Sequence, residues 1–176
     1  MGMKKHRFFD MIGCINGIIC FGGYLLDGFH GFVLWHPEIR NCKTVRYPLL
    51  ADCAAHLPSS KPFKTYHAFG YDQYSNDYKV ARIVTYHKLD TSTRTSFFTD
   101  YHNFFHVYSL NADFWTQIID TAIHHSNIRL FSRFKGFYFN GVHYWNGFLD
   151  YGDTNELRQA CDCEIVLAFD MSRDVF

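Results

Sequence analysis

His67-Ala68-Phe69-Gly70-Tyr71-Asp72-Gln73-Tyr74-Ser75-Asn76-Asp77-Tyr78-Lys79-Val80-Ala81-Arg82-Ile83-Val84-Thr85-Tyr86 reads as two strands joined by a polar turn at Gln73 to Asn76. In the second strand, Tyr78, Val80, Arg82 and Val84 fall on one face, and Lys79, Ala81, Ile83 and Thr85 on the other. Both faces carry apolar groups, so the strand is expected to be interior. Asp72 and Asp77 flank the turn, where Asp is expected for local hydrogen bonding. Units of the same kind recur at Phe32-Val33-Leu34-Trp35-His36-Pro37, at Val107 to Leu110 before Phe114-Trp115, and at Val166 to Asp170 before Val175-Phe176. Such recurrence implies a stacked or radial β architecture.

Working outward, Asn16-Gly17 and Asn140-Gly141 suit the left-handed positions of two-residue hairpin turns. Pro37 and Pro48 end strands, because proline cannot donate to a ladder. Phe104 to Leu110 and Phe114 to Ile119 predict a hairpin about Asn111-Ala112-Asp113. Leu49 to Thr65, Thr91 to Thr95 and the acidic stretch Asp150 to Asp162 read as loops. Helix is expected mainly around Ile119 to Ser126, where Ile119, Ala122 and Ile123 have helical spacing. About twelve short strands separated by turn signals indicate an all-β sandwich, barrel or propeller. The spacing of like units favours the propeller.

The composition agrees. Nineteen per cent of the chain is aromatic, with 19 Phe, 12 Tyr and 3 Trp, and such residues favour strands. Lys plus Arg equals Asp plus Glu at 17 each, so no global field draws nucleic acid or an anionic membrane. The stretch Met11 to Leu26 is preceded by Asp10 and broken by Asn16 and four glycines, and it suits neither a signal peptide nor a bilayer span. The six cysteines are irregularly spaced and no glycosylation sequon occurs, so reduced thiols in a cytoplasmic protein are expected.

Signals for catalysis are weak. His102 and His106 would lie on a strand, where four residues span roughly 13 Å, too far for two ligands of one zinc. Cys161-Asp162-Cys163 lacks the spacing of structural zinc sites. No G-x-S-x-G, phosphate-binding loop or H-E-x-x-H occurs. No enzyme activity, metal or cofactor is therefore expected, with a hydrolase on a β scaffold as the rival reading. Trp35, Trp115 and Trp145 are read as core between blades.

Six segments, in order, resemble the plant F-box-associated interaction domain. They are Cys14 to Cys20, Leu34-Trp35-His36-Pro37 with Pro48, Phe69 to Val80, Val107 to Leu110 with Trp115, Tyr138 to Trp145, and Ile165 to Phe176. The Phe and Tyr richness and the Asp77 to Val84 segment are most similar to S-locus F-box proteins. His36 stands where that family has Asn, and Ile15 interrupts the Cys-Asn-Gly segment.

The resemblance implies a kelch-like β-propeller, or part of one, built of short antiparallel strands. It implies an N-terminal remnant over residues 1–11 and an F-box-associated β domain over 12–176 that is incomplete at its C-terminus, or else a non-functional truncated remnant. By resemblance, the domain recognises substrates for an SCF-type ubiquitin ligase. The Skp adaptor and cullin are reached only through an F-box that this sequence lacks. The target class is the pistil ribonuclease of self-incompatibility, commonly a basic protein. Target contact is expected on rim loops. The candidates are the basic and histidine-bearing residues His124, His125, Arg129, Arg133 and Lys135, and the acidic residues Asp150, Asp153 and Glu156.

Overall fold

A computed structural model describes residues 9–24, 30–48, 62–89, 98–119, 128–130, 136–150 and 162–176. Among these, twelve strands and no helix form three antiparallel sheets. Of the expected helix only Ile119 is described, and it is not helical; the rest of Ile119 to Ser126 lies outside the described residues, as does Thr91 to Thr95. The chain divides into two compact units, Met1–Leu49 and Leu50–Phe176.

The first unit holds one meander, β1 (Phe9–Ile15), β2 (Ile18–Tyr24), β3 (His30–His36) and β4 (Asn41–Arg46). Cys20, Phe32 and Leu34 are buried on one face, and burial pushes the Cys20 thiol up. Trp35, on the other face, is 40% exposed and tilts against Phe21, so it is not core. The β1–β2 turn has positive φ at both Asn16 (49°) and Gly17 (80°). This handedness matches the twist of the flanking strands.

The second unit holds the other two sheets. The longer one is a meander of β5 (Pro62–Asp72), β6 (Asp77–Leu89), β7 (Phe98–Ser109) and β8 (Phe114–Ile118). The strand β5 starts at Pro62, inside the stretch expected as loop. Proline is tolerated at a first strand position, and the register shifts between Pro62 and Lys64. The remaining sheet holds β9 (Ile128–Leu130), β10 (Phe137–Phe139), β11 (Val142–Asp150) and β12 (Asp162–Asp170). β12 pairs along all of β11, whereas β9 meets only Gly147 to Leu149 and β10 only Val142 to Tyr144. β9 and β10 therefore share the opposite edge of β11. Asp150 and Asp162, the ends of the expected acidic loop, are both strand residues.

The two sheets of this unit pack face to face. Tyr66, Ala68, Ala81, Ile83, Phe105 and Val107 of the longer sheet meet Ile128, Leu130, Trp145, Leu167 and Phe169, with Met171 among them. Of the three tryptophans only Trp145 is fully buried. Polar groups stitch the same junction. Tyr66 donates to the Leu130 carbonyl at 2.7 Å, Asn103 to the Ile128 carbonyl at 3.2 Å, and Tyr138 to the Tyr71 carbonyl at 2.8 Å. Each joins one sheet to the other, so the pair is held by direction as well as by burial.

The β10–β11 turn repeats the first hairpin, with φ of 48° at Asn140 and 84° at Gly141. A Cβ at Gly17 or Gly141 would meet nothing within 4 Å. Gly17→Ala and Gly141→Ala should therefore cost backbone strain alone, about 1–2 kcal/mol each. Denaturant unfolding of the two variants checks this; a much larger loss at either would reveal packing around the turn.

Candidate functional site

The sheets of the second unit have two chemically different ends. At one end lie the tight turns 73–76, 110–113, 140–141 and 171–174. Toward the other end β6 finishes at Leu89 and β11 at Asp150, and β7, β9 and β12 begin at Phe98, Ile128 and Asp162.

The turn end is organised by three buried charges. Asp72, Asp77 and Lys79 are 2%, 3% and 7% exposed. Asp72 accepts the backbone N–H groups of Tyr74 (2.9 Å) and Ser75 (3.3 Å), and the Ser75 hydroxyl (2.6 Å). Asp77 accepts the Ser109 hydroxyl at 2.6 Å and the Asn111 N–H at 2.9 Å. Asn111 in turn donates to the Ser75 and Asn76 carbonyls, which ties the two turns together. The Lys79 ammonium donates to the Met171 carbonyl (2.7 Å) and to Asp174 (2.9 Å), and lies 3.4 Å from Asp72. The third turn is thereby anchored to the first two. Burial alone would raise the Asp72 carboxyl, but the bonds from Ser75, Tyr74 and Ser172 outweigh it and hold the pKa at about 2. The two aspartates are thus turn anchors, as their flanking positions predict.

A second polar feature crosses the longer sheet. Register places His67 opposite Arg82, and Arg82 opposite His106. Burial, and then the Arg82 charge, lower the His106 pKa to about 4. His106 and His102 share β7, as expected from the sequence. Among the described residues, no group of three or more His, Cys, Asp or Glu could hold a metal ion. The four described cysteines, Cys14, Cys20, Cys42 and Cys163, are free thiols. No helix among the described residues is long and apolar enough to cross a membrane.

The family model for the F-box associated beta propeller domain matches residues 9–176. The chain belongs to this family. The matched span runs through all twelve strands, from Phe9 to the final bridge between Asp170 and Val175. Comparison with curated proteins and with solved structures gives no match. F-box associated domains are substrate-binding modules rather than a family of enzymes, so this chain is a protein-binding β domain.

Most of the target-contact residues expected from the sequence of this F-box associated domain lie outside the described residues: His124, His125, Arg133, Lys135, Asp153 and Glu156. Arg129 is in β9 opposite Phe148, and Asp150 ends β11 opposite Asp162. Because Ile128 pairs with Leu149, the backbones of the basic and acidic candidates meet on neighbouring strands. The topology thus brings Arg129 and Asp150 to neighbouring strands of one sheet. Sequence reasoning missed Lys79 as a buried cation of the turn end. In sequence it is one polar residue of an alternating strand, and its partners at Met171 and Asp174 lie beyond any local pattern.

Proposed function

We propose that this F-box associated domain is the substrate-recognition part of an SCF-type ubiquitin ligase in the plant cytoplasm. The observation that carries the reading is the family match over residues 9–176. An F-box attached to such a domain docks the Skp adaptor, and through it the cullin. The β domain then raises the local concentration of a target beside the ubiquitin-loading enzyme, with no bond chemistry of its own. The resemblance to S-locus F-box proteins supports a pistil ribonuclease as the target and self-incompatibility as the process. The target would dock on the charged connections that adjoin β9 and β11, the strands bearing Arg129 and Asp150.

The test is a paired pull-down. Residues 1–176 alone should not retain the Skp adaptor, and fusion of an F-box ahead of Met1 should restore retention. Adaptor binding without the fusion would overturn this division of labour. In the fused protein, charge reversal at Asp150, Asp153 and Glu156 should weaken capture of a basic ribonuclease and reduce its salt dependence. Capture unchanged by this reversal and by reversal at Arg129, Arg133 and Lys135 would remove these connections as the docking site.

A further inference from the structure

The turn 171–174 repeats the construction of the turn 73–76. Asp72 accepts the N–H groups of Tyr74 and Ser75, and Asp170 likewise accepts those of Ser172 (2.8 Å) and Arg173 (3.2 Å). The last turn residue is left-handed in both, with φ of 53° at Asn76 and 54° at Asp174. After the first turn Asp77 pairs with Asp72, and β6 runs back along β5 as far as Pro62. After the second, Val175 forms an antiparallel bridge with Asp170, whose N–H donates to the Val175 carbonyl at 2.8 Å. The same kind of hairpin is thus begun on the edge of β12 that faces away from β11. Phe176 follows in line, and its ring centroid lies 4.3 Å from that of Phe105 and 4.9 Å from that of Phe169.

Beyond Asp170, no strand among the described residues pairs with this edge of β12. Backbone N–H and C=O groups alternate between the two sides of a strand, so Glu164, Val166 and Ala168 direct theirs the same way as Asp170. From Asp162 to Asp170 there is no Lys or Pro, the residues that most often blunt an exposed edge. Nor is the strand short: β12 has nine residues, against five in the edge strand β8. Val166 is 63% exposed. On the inner face the core is only partly closed here. Ile165 of β12, and Ile118 of β8 opposite Phe105, pack against it but are partly buried.

We infer that this edge of β12 captures an extended segment of another protein as an added antiparallel strand, in line with Val175-Phe176. Main-chain hydrogen bonds supply the affinity and alternate side chains the specificity. The register set by the Asp170–Val175 bridge fixes the chemistry of the guest. Its residues opposite Leu167 and Ile165 share their face, which packs on the core, and are apolar. Those opposite Ala168 and Val166 lie on the outer face and are β-branched, as suits a strand. The residue opposite the exposed Glu164 is basic, because opposite charges on directly paired residues attract. The guest is therefore an alternating β-branched segment that ends in Lys or Arg. The inference goes beyond the ligase reading and does not depend on it.

The probe is the peptide Thr-Val-Thr-Ile-Lys, blocked at both ends, fluorescently labelled and titrated into the 176-residue chain. Saturable binding by anisotropy is expected. N-methylation of its third residue, opposite Val166, removes a donor aimed at β12 and should abolish binding, whereas N-methylation of its second residue, aimed away, should be tolerated. Val166→Pro removes an edge donor but none of the bonds to β11, and should weaken binding at least about tenfold. Glu164→Lys leaves the edge backbone as it is. It should weaken binding about threefold, and a peptide with Glu in place of its Lys should recover the loss. An absence of saturable binding would overturn the proposal. So would binding indifferent to both N-methylation and Val166→Pro, because an apolar contact would then account for it. Dimers in sedimentation equilibrium that Val166→Pro abolishes, with no capture of the peptide, would also overturn it by giving the edge to a second copy of this chain.

Discussion

Replacing Lys79 by Ala is expected to lower the unfolding free energy by about 3–5 kcal/mol, the usual cost of breaking a buried charge pair from one side. The Lys79 side chain is 9% exposed and that of Asp72 is 3% exposed. Removing the ammonium leaves the buried Asp72 carboxylate with its turn hydrogen bonds but without this counter-charge, and leaves the Met171 carbonyl without this donor. It also removes the link from Lys79 to the turn 171–174, whose Met171 packs between the two sheets, while the bonds of that turn to Asp170 and Gly141 remain. For a chain of this size the loss corresponds to a fall in thermal midpoint on the order of 10 °C. Two controls separate the causes. Asp174→Ala removes a partner that is 37% exposed and should cost less than about 1 kcal/mol. Lys79→Met keeps the apolar stem, so the difference between Met and Ala at position 79 measures packing. A loss at Lys79→Ala no larger than at Asp174→Ala would show that the buried pair contributes little.

Acid should destabilise the domain in two separate windows. His106 is the source of the first. Its ordinary pKa of 6.5 falls to about 4 in the folded chain, through burial and then the Arg82 charge. A histidine with a lowered folded pKa binds fewer protons in the native state than in the unfolded state. Its contribution is therefore complete above pH 6.5 and is lost as pH falls through about 4. The interval corresponds to about 3 kcal/mol. Among the described side chains of this face, Arg82 lies opposite His106 and His67 opposite Arg82. Gln117, opposite His106 on β8, adds no charge. Denaturant unfolding of His106→Gln and the parent should give curves that converge between pH 6.5 and 4, because the other histidines cancel in the difference. Parallel curves would show that His106 already titrates near its ordinary value. The second window belongs to Asp72, whose lowered pKa makes its contribution complete above the ordinary carboxylate range and lost as pH falls toward about 2. Asp72→Asn should change the pH dependence only there.

Much of the β pattern was legible because its causes are local. Asn-Gly at 16–17 and 140–141 demands positive φ, and both turns formed where that demand placed them. The interior character of the Tyr78 to Tyr86 strand followed from apolar groups on both faces, and residues 79 to 86 are buried. The turn roles of Asp72 and Asp77 followed from their flanking positions. The order of six segments pointed to the F-box associated domain, and the family match agrees.

Other features depended on partners distant in sequence. Pro62 to Thr65 has loop composition yet continues β5, because the strand beside it supplies the ladder. The three tryptophans occupy similar places in their units, but only Trp145 faces an opposing sheet closely enough to be fully buried. Lys79 became the centre of the turn end only when the chain brought Asp174 and the Met171 carbonyl to it, more than ninety residues away. Periodicity and turn chemistry reside in neighbouring residues, so the sequence by itself determined the strands and most of their turns. The faces that pack and the charge that is buried were decided by the tertiary structure, because each depends on a surface supplied from elsewhere in the chain.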